Sequence, residues 1–340
     1  MKRAVGLSGG LALLAFAAIL VVGRAAMAQR MAFVIATGPT GGTYFPVGEA
    51  IAAIVSHPPG VYRCERAGVC GPAGLIASVR TSPGAVSNVL AVNAHTVDAA
   101  LAQSDVIADA IAGRGAFKSD GAQKHVRVIA NLFPEEVHLV VRAAARVKTL
   151  PDLRGKRASI GPGTSGTIVT ARAVLAAFRV GRIRASNDPS DLAADRLEKG
   201  EIDAMFFVGG APVPLVRELL ATGKAVLVPI DGAGRARLLK QDRALTTTTV
   251  PGGLYPKTGK LETVGVRALF IVNDAVPNGA VYAIAKSLFN GANHAVLAGS
   301  HRSAQFIRLD TAAANLPAPL HPGAIRFYRE VGKLPKSGKS

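Results

Sequence analysis

Apolar residues along this chain come in short runs that end at glycine. Each run is followed by a longer stretch in which apolar positions recur every three or four residues. The first pattern is that of a strand buried on both faces, the second that of an amphipathic helix. Residues 33–38 make such a run. After Pro39-Thr40-Gly41-Gly42-Thr43-Tyr44-Phe45-Pro46, the positions Val47, Ile51, Ile54 and Val55 form one helical stripe. Residues 156–160 repeat the arrangement: Gly161-Pro162-Gly163-Thr164-Ser165-Gly166-Thr167 leads into Ile168, Ala171, Leu175 and Phe178 at helical spacing, and Gly181 supplies the stop. A third run, 202–208, ends at Gly209-Gly210 before a helix over 213–221.

The remaining pattern fills in around these three units. A strand is expected at 61–66, a helix capped by Ser82 with Pro83 in its first turn, and a strand over 97–105 followed by a helix over 106–112. Two apolar strands, 126–133 and 137–141, are separated by Pro134-Glu135-Glu136, and this short break suits a hinge crossing. Ser190 can cap a helix ending near Gly200. A strand follows at 226–230, then a Thr-, Pro- and Gly-rich loop at 245–260, a returning strand at 264–272, and helices over 278–290 and within 292–307. Alternating strand and helix is what a parallel sheet with helical crossovers produces.

Composition narrows the setting. Lys2 and Arg3 precede an unbroken apolar run over 11–22, and Ala26-Met27-Ala28 has the small-residue pattern that signal peptidase cuts after. An export signal over 1–28, cleaved after Ala28, is the expectation, and an uncleaved anchor is the alternative. The 312 residues that would remain suit two lobes better than one core. Removing Lys2, Arg3 and Arg24 lowers the formal charge from +18 to +15. Because the basic residues are scattered and aromatics make up only 5%, no nucleic-acid partner is expected; the charge reads as a solvated surface that helps gather acidic solutes. Cys64 and Cys70 are the only cysteines, and in an exported chain they suggest a disulfide, with two buried thiols as the alternative. Seven histidines without a His-x-x-x-His pair give no expectation of a metal, and no cofactor is expected.

The candidate chemistry lies in the glycine turns. A strand-to-helix turn aims free backbone N–H groups at whatever sits before the helix, where the macrodipole also favours an anion. The same residues also read as ordinary caps. Two enzymatic motifs are excluded: Gly166 is followed by Thr167-Ile168 rather than Lys and Ser or Thr, and Thr167 stands where a nucleophile elbow needs its second glycine. Gln103 and Ser104 end a strand at the edge where open α/β sheets bind ligands. Phe206 and Phe207 point to opposite faces, so at most one lines a pocket.

In order, Ile35-Ala36-Thr37-Gly38, Gly41-Gly42-Thr43-Tyr44, Ser82 with Asn88, Gln103-Ser104-Asp105, Val137-His138-Leu139-Val140, Asp152-Leu153-Arg154-Gly155-Lys156-Arg157 and the 161–167 turn resemble the solute receptors of TAXI-type TRAP transporters. The Cys64 to Cys70 segment stands outside that pattern. The resemblance, over about residues 33–289, implies an α/β fold of the second periplasmic binding-protein type, with two lobes closing on a hinge. It implies lobe 1 over 29–134 plus 250–334, lobe 2 over 135–249, and a tail over 335–340. It also implies a monomeric, non-enzymatic periplasmic receptor that passes a small anionic solute, such as glutamate, glutamine or 2-oxoglutarate, to a TRAP permease. The ligand contacts it implies are Thr43, Tyr44, Ser82, Asn88 and Gln103 on one wall, and Thr164, Ser165, Gly166, Thr167, Phe206 and Gly209 on the other. Ser165→Ala or Thr167→Ala is expected to weaken binding and leave the unliganded fold intact. Two other classes share these features: a periplasmic receptor that signals to a membrane sensor, and an enzyme on the same fold, for which Glu135 and His138 are the acid/base candidates.

Overall fold

The computed structural model of the chain describes residues 30–335. The expected export segment, and the expected tail beyond Pro335, lie outside the described residues. The chain begins with β1 (Met31–Ala36), α1 (Tyr44–Val55), β2 (Leu75–Arg80), α2 (Ala85–Asn93), β3 (Ala99–Gln103) and α3 (Ser104–Ala112). A long strand, β4 (Val126–Arg142), leads to β5 (Arg157–Ser159), α4 (Gly166–Ala177), β6 (Arg184–Ser186), α5 (Ser190–Glu198), β7 (Ala204–Gly209), α6 (Pro214–Ala221), β8 (Ala225–Val228), α7 (Gly232–Gln241) and β9 (Thr246–Val250). The return strand β10 (Leu261–Asn273) precedes α8 (Asn278–Leu288), α9 (His294–Ser300) and α10 (Pro322–Glu330).

The strands are hydrogen-bonded in the order β2-β1-β3-β10-β4-β7-β5-β6, with β8 also on β4 and β9 on β10. β1 runs parallel to β2 and β3, and β5 runs parallel to β6 and β7, as helical crossovers require. β4 and β10 are antiparallel to each other and to the strands they meet, and they belong to both halves of the sheet. This is the two-lobed α/β architecture that the chain length and the resemblance imply. Each half has its own core. Phe33, Ile35 and Ile51 pack with Ile129, Phe133 and Phe270, and with Ile284 and Tyr328 from the C-terminal helices. Across the crossing, Val137 and Leu139 pack with Ile168, Ala171, Val174, Phe206 and Val208. Full burial of one such side chain contributes about 1.5–3 kcal/mol, so either core can hold its half together.

Several expectations are corrected. Residues 61–66 are not a strand: Tyr62–Glu65 is a 3₁₀ turn, and the second strand is β2, an edge strand whose alternating burial made its apolar signal weak. The break at Pro134-Glu135-Glu136 is absent, and β4 continues through it. The ladder with β10 skips Leu132 and then Ile129; Pro134 is in register opposite Arg267, whose N–H turns away to Ser104 Oγ, so the pairing there does not call on the missing proline N–H. Ser82 does not cap α2; Gly84 holds that place, while Ser82 Oγ accepts from Gly84 N at 3.0 Å and donates to Thr37 O at 3.0 Å. Part of the expected 245–260 loop is β9, whose threonine run is β-branched. Cys64 and Cys70 are joined as a disulfide, Cα to Cα 5.2 Å. Their loop is braced by Ser287 Oγ and Asn293 Nδ2, which donate to Val69 O at 2.9 and 2.7 Å.

Candidate functional site

The three glycine turns meet where the two halves face each other. Gly38, Pro39, Gly42, Thr43 and Tyr44 come from the turn after β1; Ser165, Gly166 and Thr167 from the turn before α4; Phe207, Val208 and Gly209 from the end of β7. The start of α2, Gln103, Glu135 and Ser190 complete the lining of one cavity, which offers the centre of a water molecule about 40 Å³. A single water needs about 10–15 Å³ on that measure, so the site as it stands suits only a small ligand.

The halves are latched around this cavity. Tyr44 Oη donates to Glu135 Oε2 at 2.7 Å, Thr43 Oγ1 to Gly210 O at 3.0 Å, and Ser87 N to Thr164 O at 3.0 Å. Gln103 Nε2 donates to Thr170 Oγ1 at 3.1 Å, and Thr170 Oγ1 donates to Asp105 Oδ2 at 2.7 Å. Glycine is required at two points of this closure. A Cβ on Gly166 would run into the Gln103 carboxamide, and a Cβ on Gly84, already strained at φ +129°, would lie only 3.2 Å from Ser165 Cα.

The residues anticipated for the site divide. Thr43, Tyr44, Gln103, Ser165, Gly166, Thr167 and Gly209 line the cavity. Ser82, Asn88, Thr164 and Phe206 lie outside its lining. Asn88 is fully buried and donates through Nδ2 to Thr37 O at 2.6 Å and Leu101 O at 2.7 Å, which ties the ends of β1 and β3 together. The Thr164 side chain is exposed and only its carbonyl crosses to the other half. Phe206 points into the core, so Phe207 is the ring at the cavity. The Ser165 hydroxyl is occupied on both sides: Oγ donates to Pro162 O at 2.8 Å and caps α4 by accepting from Ile168 N at 3.2 Å. Thr167 Oγ1 accepts from Val208 N at 3.2 Å, which leaves its hydroxyl proton free. What this turn presents to the cavity is that hydroxyl and backbone N–H, because the first-turn amides of Gly166 and Thr167 have no acceptor within the helix.

Electrostatically the cavity is unusual for an anion site, because no Lys or Arg lines it. Its one ionisable acid is Glu135. Burial raises the Glu135 carboxyl to about 8, the hydrogen bond from Tyr44 opposes that rise, and the charges of Asp105 and Glu136 add to it. Burial likewise raises Asp105 to about 6 and Glu136 to about 7. Glu135 was not anticipated as a lining residue. The signal was present: two adjacent acids inside an otherwise apolar strand are costly unless they serve something. His138, the other acid/base candidate, is not beside it at the cavity. It is fully buried, its Nε2 sits 2.8 Å from Tyr255 Oη, and burial lowers it to about 4.

With the geometry in place, comparison with known proteins settles the family. The family model described as NMT1-like matches residues 35–332. This chain belongs to the NMT1-like family. Among solved structures, this NMT1-like protein is similar to MatC from Rhodopseudomonas palustris with bound malate, at 13% identity and a TM-score of 0.55, over 90% of this chain and 98% of that one. A structure described as that of a periplasmic transporter matches at 14% identity and a TM-score of 0.53, over 91% of this chain and 94% of that one. At such identities the likeness is one of fold, that of the two-lobed periplasmic binding proteins.

Proposed function

We propose that this NMT1-like protein is a periplasmic receptor that captures a small organic acid between its lobes and delivers it to a TRAP-type permease. The observation that carries this reading is the latched cavity, which gathers the first turns of helices from both halves and whose one carboxyl, Glu135, is engaged by Tyr44 with no His, Lys or Arg in the lining. Such equipment binds a carboxylate without transforming it. The fold shared with MatC, whose structure holds malate, supports the reading. The lobe boundary falls on β4 and β10, with residues 29–134 plus 250–334 on one side and 135–249 on the other.

Within organic acids, the cavity favours an amino acid over a simple dicarboxylate. A carboxylate would sit at the first turn of α4, and an ammonium would face Glu135, which would then give up its proton to form an ion pair. A dicarboxylate would set its second charge against that acid with no basic side chain in the lining to offset it.

The test is thermal unfolding of the purified protein against a panel of amino acids, dicarboxylates and 2-oxoacids. A ligand at a thousand times its Kd stabilises the folded form by about 4 kcal/mol, which gives a clear rise in Tm. A rise with one or a few amino acids supports the reading. A rise confined to dicarboxylates removes the role given to Glu135, and a panel without any rise counts against a carboxylate receptor.

A further inference from the structure

We propose that a second groove, on the other side of the crossing strands, binds a small oxyanion through Arg267 and Arg243. This inference is independent of the solute reading, since the groove and the cavity share no lining residue. The groove offers about 630 Å³ to the centres of water molecules and is lined by Arg267, Arg243, Ser104, Asn131, Thr311 and Asn315 among others. Along β10, Arg267 stands next to Val266, the partner of Glu135; alternation therefore sends Arg267 to the opposite face from the cavity acid.

Several donors of this groove have no acceptor among the described residues. Arg267 Nε donates to Asn131 Oδ1 at 2.8 Å, and its two terminal nitrogens have no partner among the described residues. Because that nitrogen can only donate, the Asn131 atom facing it must be oxygen. The Asn131 amide nitrogen is then left free, on a side chain whose residue is only 6% exposed. Ser104, also 6% exposed, accepts from Arg267 N at 3.0 Å, so its hydroxyl proton is free to point elsewhere. Arg243 approaches from the segment after α7, exposed and in no ion pair among the described residues.

No Asp or Glu lines the groove. The carboxyls that act on Arg267 are Glu135 and Glu136, and burial raises them to about 8 and about 7, so at neutral pH they offset the guanidinium charge only in part. A planar fork with free ends, a buried amide N–H and a hydroxyl make a cradle for the oxygens of a phosphate or carboxylate.

The experiment is isothermal titration of the purified protein with inorganic phosphate and, separately, malonate, with chloride at matched ionic strength as the control. Saturable heat with either oxyanion is expected, and which one binds more tightly assigns the headgroup. Arg243→Gln, an exposed substitution that leaves both cores untouched, should weaken that binding at least fivefold. Arg267→Lys, which keeps the charge and loses the fork, should do the same. Heats no greater than those of chloride, or binding unchanged in Arg243→Gln, would overturn the proposal, the latter by moving the anion to another place.

Discussion

Replacing Glu135 with Gln tests how the acid at the cavity is held. Glutamine keeps the shape and an oxygen to accept from Tyr44, and it removes the ionisation. In the folded chain the Glu135 carboxyl rises from 4.5 to about 8, chiefly because burial strips its charge of water. A raised carboxyl favours the folded state while it is protonated. Its contribution is fully present below about pH 4.5 and is lost as pH climbs through about 8. At about 1.4 kcal/mol per pH unit that loss has an upper bound of about 5 kcal/mol, a large share of the stability of any domain. Asp105 and Glu136 are raised by the same cause and steepen the wild-type profile between pH 4 and 8. Urea unfolding at pH 5, 7 and 9 should show wild type weakening with pH, and Glu135→Gln weakening less by about 3 kcal/mol or more over that span. Parallel profiles for the two proteins would refute the reasoning, because the acid would then be ionised and solvated in the folded state.

Further substitutions address separate contacts. Thr170→Val removes the donor to Asp105 Oδ2 and the acceptor of Gln103 Nε2; it should cost about 1–3 kcal/mol in urea unfolding, because both partners are buried. Ser165→Ala removes the cap of α4 and should cost about 1 kcal/mol in the unliganded protein, measured the same way. Gly166→Val would drive side-chain atoms into Gln103; the lobes should then fail to latch, read as a larger radius of gyration in small-angle scattering and as a loss of at least tenfold in affinity for whichever solute raises the wild-type Tm. Replacing both Cys64 and Cys70 with Ser should lower stability by about 2 kcal/mol, the chain-entropy value for so short a loop, with the change in Tm as the readout.

What could be read from the sequence follows the strength of the local signals. The three strand–glycine–helix units stand out because each glycine-rich turn is followed by a helical apolar stripe, and these units supply most of the cavity. β2 was misplaced because an edge strand is half exposed and its apolar residues alternate with Ile76, Ser78 and Arg80. In β4, Pro134 and two acids look like a break, whereas Pro134 stays in register opposite Arg267, whose own N–H turns away to Ser104 Oγ. The choice of Phe207 over Phe206 depends on which face of β7 meets the cavity; two adjacent identical residues carry no information on that parity. Asn88 and the Ser165 hydroxyl look like ligand contacts because residue type does not reveal that nearby backbone groups already claim them.

The passage of β4 and β10 between the lobes gives the molecule a particular mechanics. A crossing of loose chain would swing freely, its opening resisted by little more than solvent drag. Here two antiparallel strands remain paired through the crossing, so any widening of the cavity has to flex a laddered ribbon in the manner of a leaf spring. The ribbon is softest where Leu132 and Ile129 leave its ladder, and the curvature should gather at those two places. The gap between the lobes is then governed by the stiffness of a few backbone hydrogen bonds as much as by the latches, and substitutions at Leu132 or Ile129, far from any contact with a solute, would retune it.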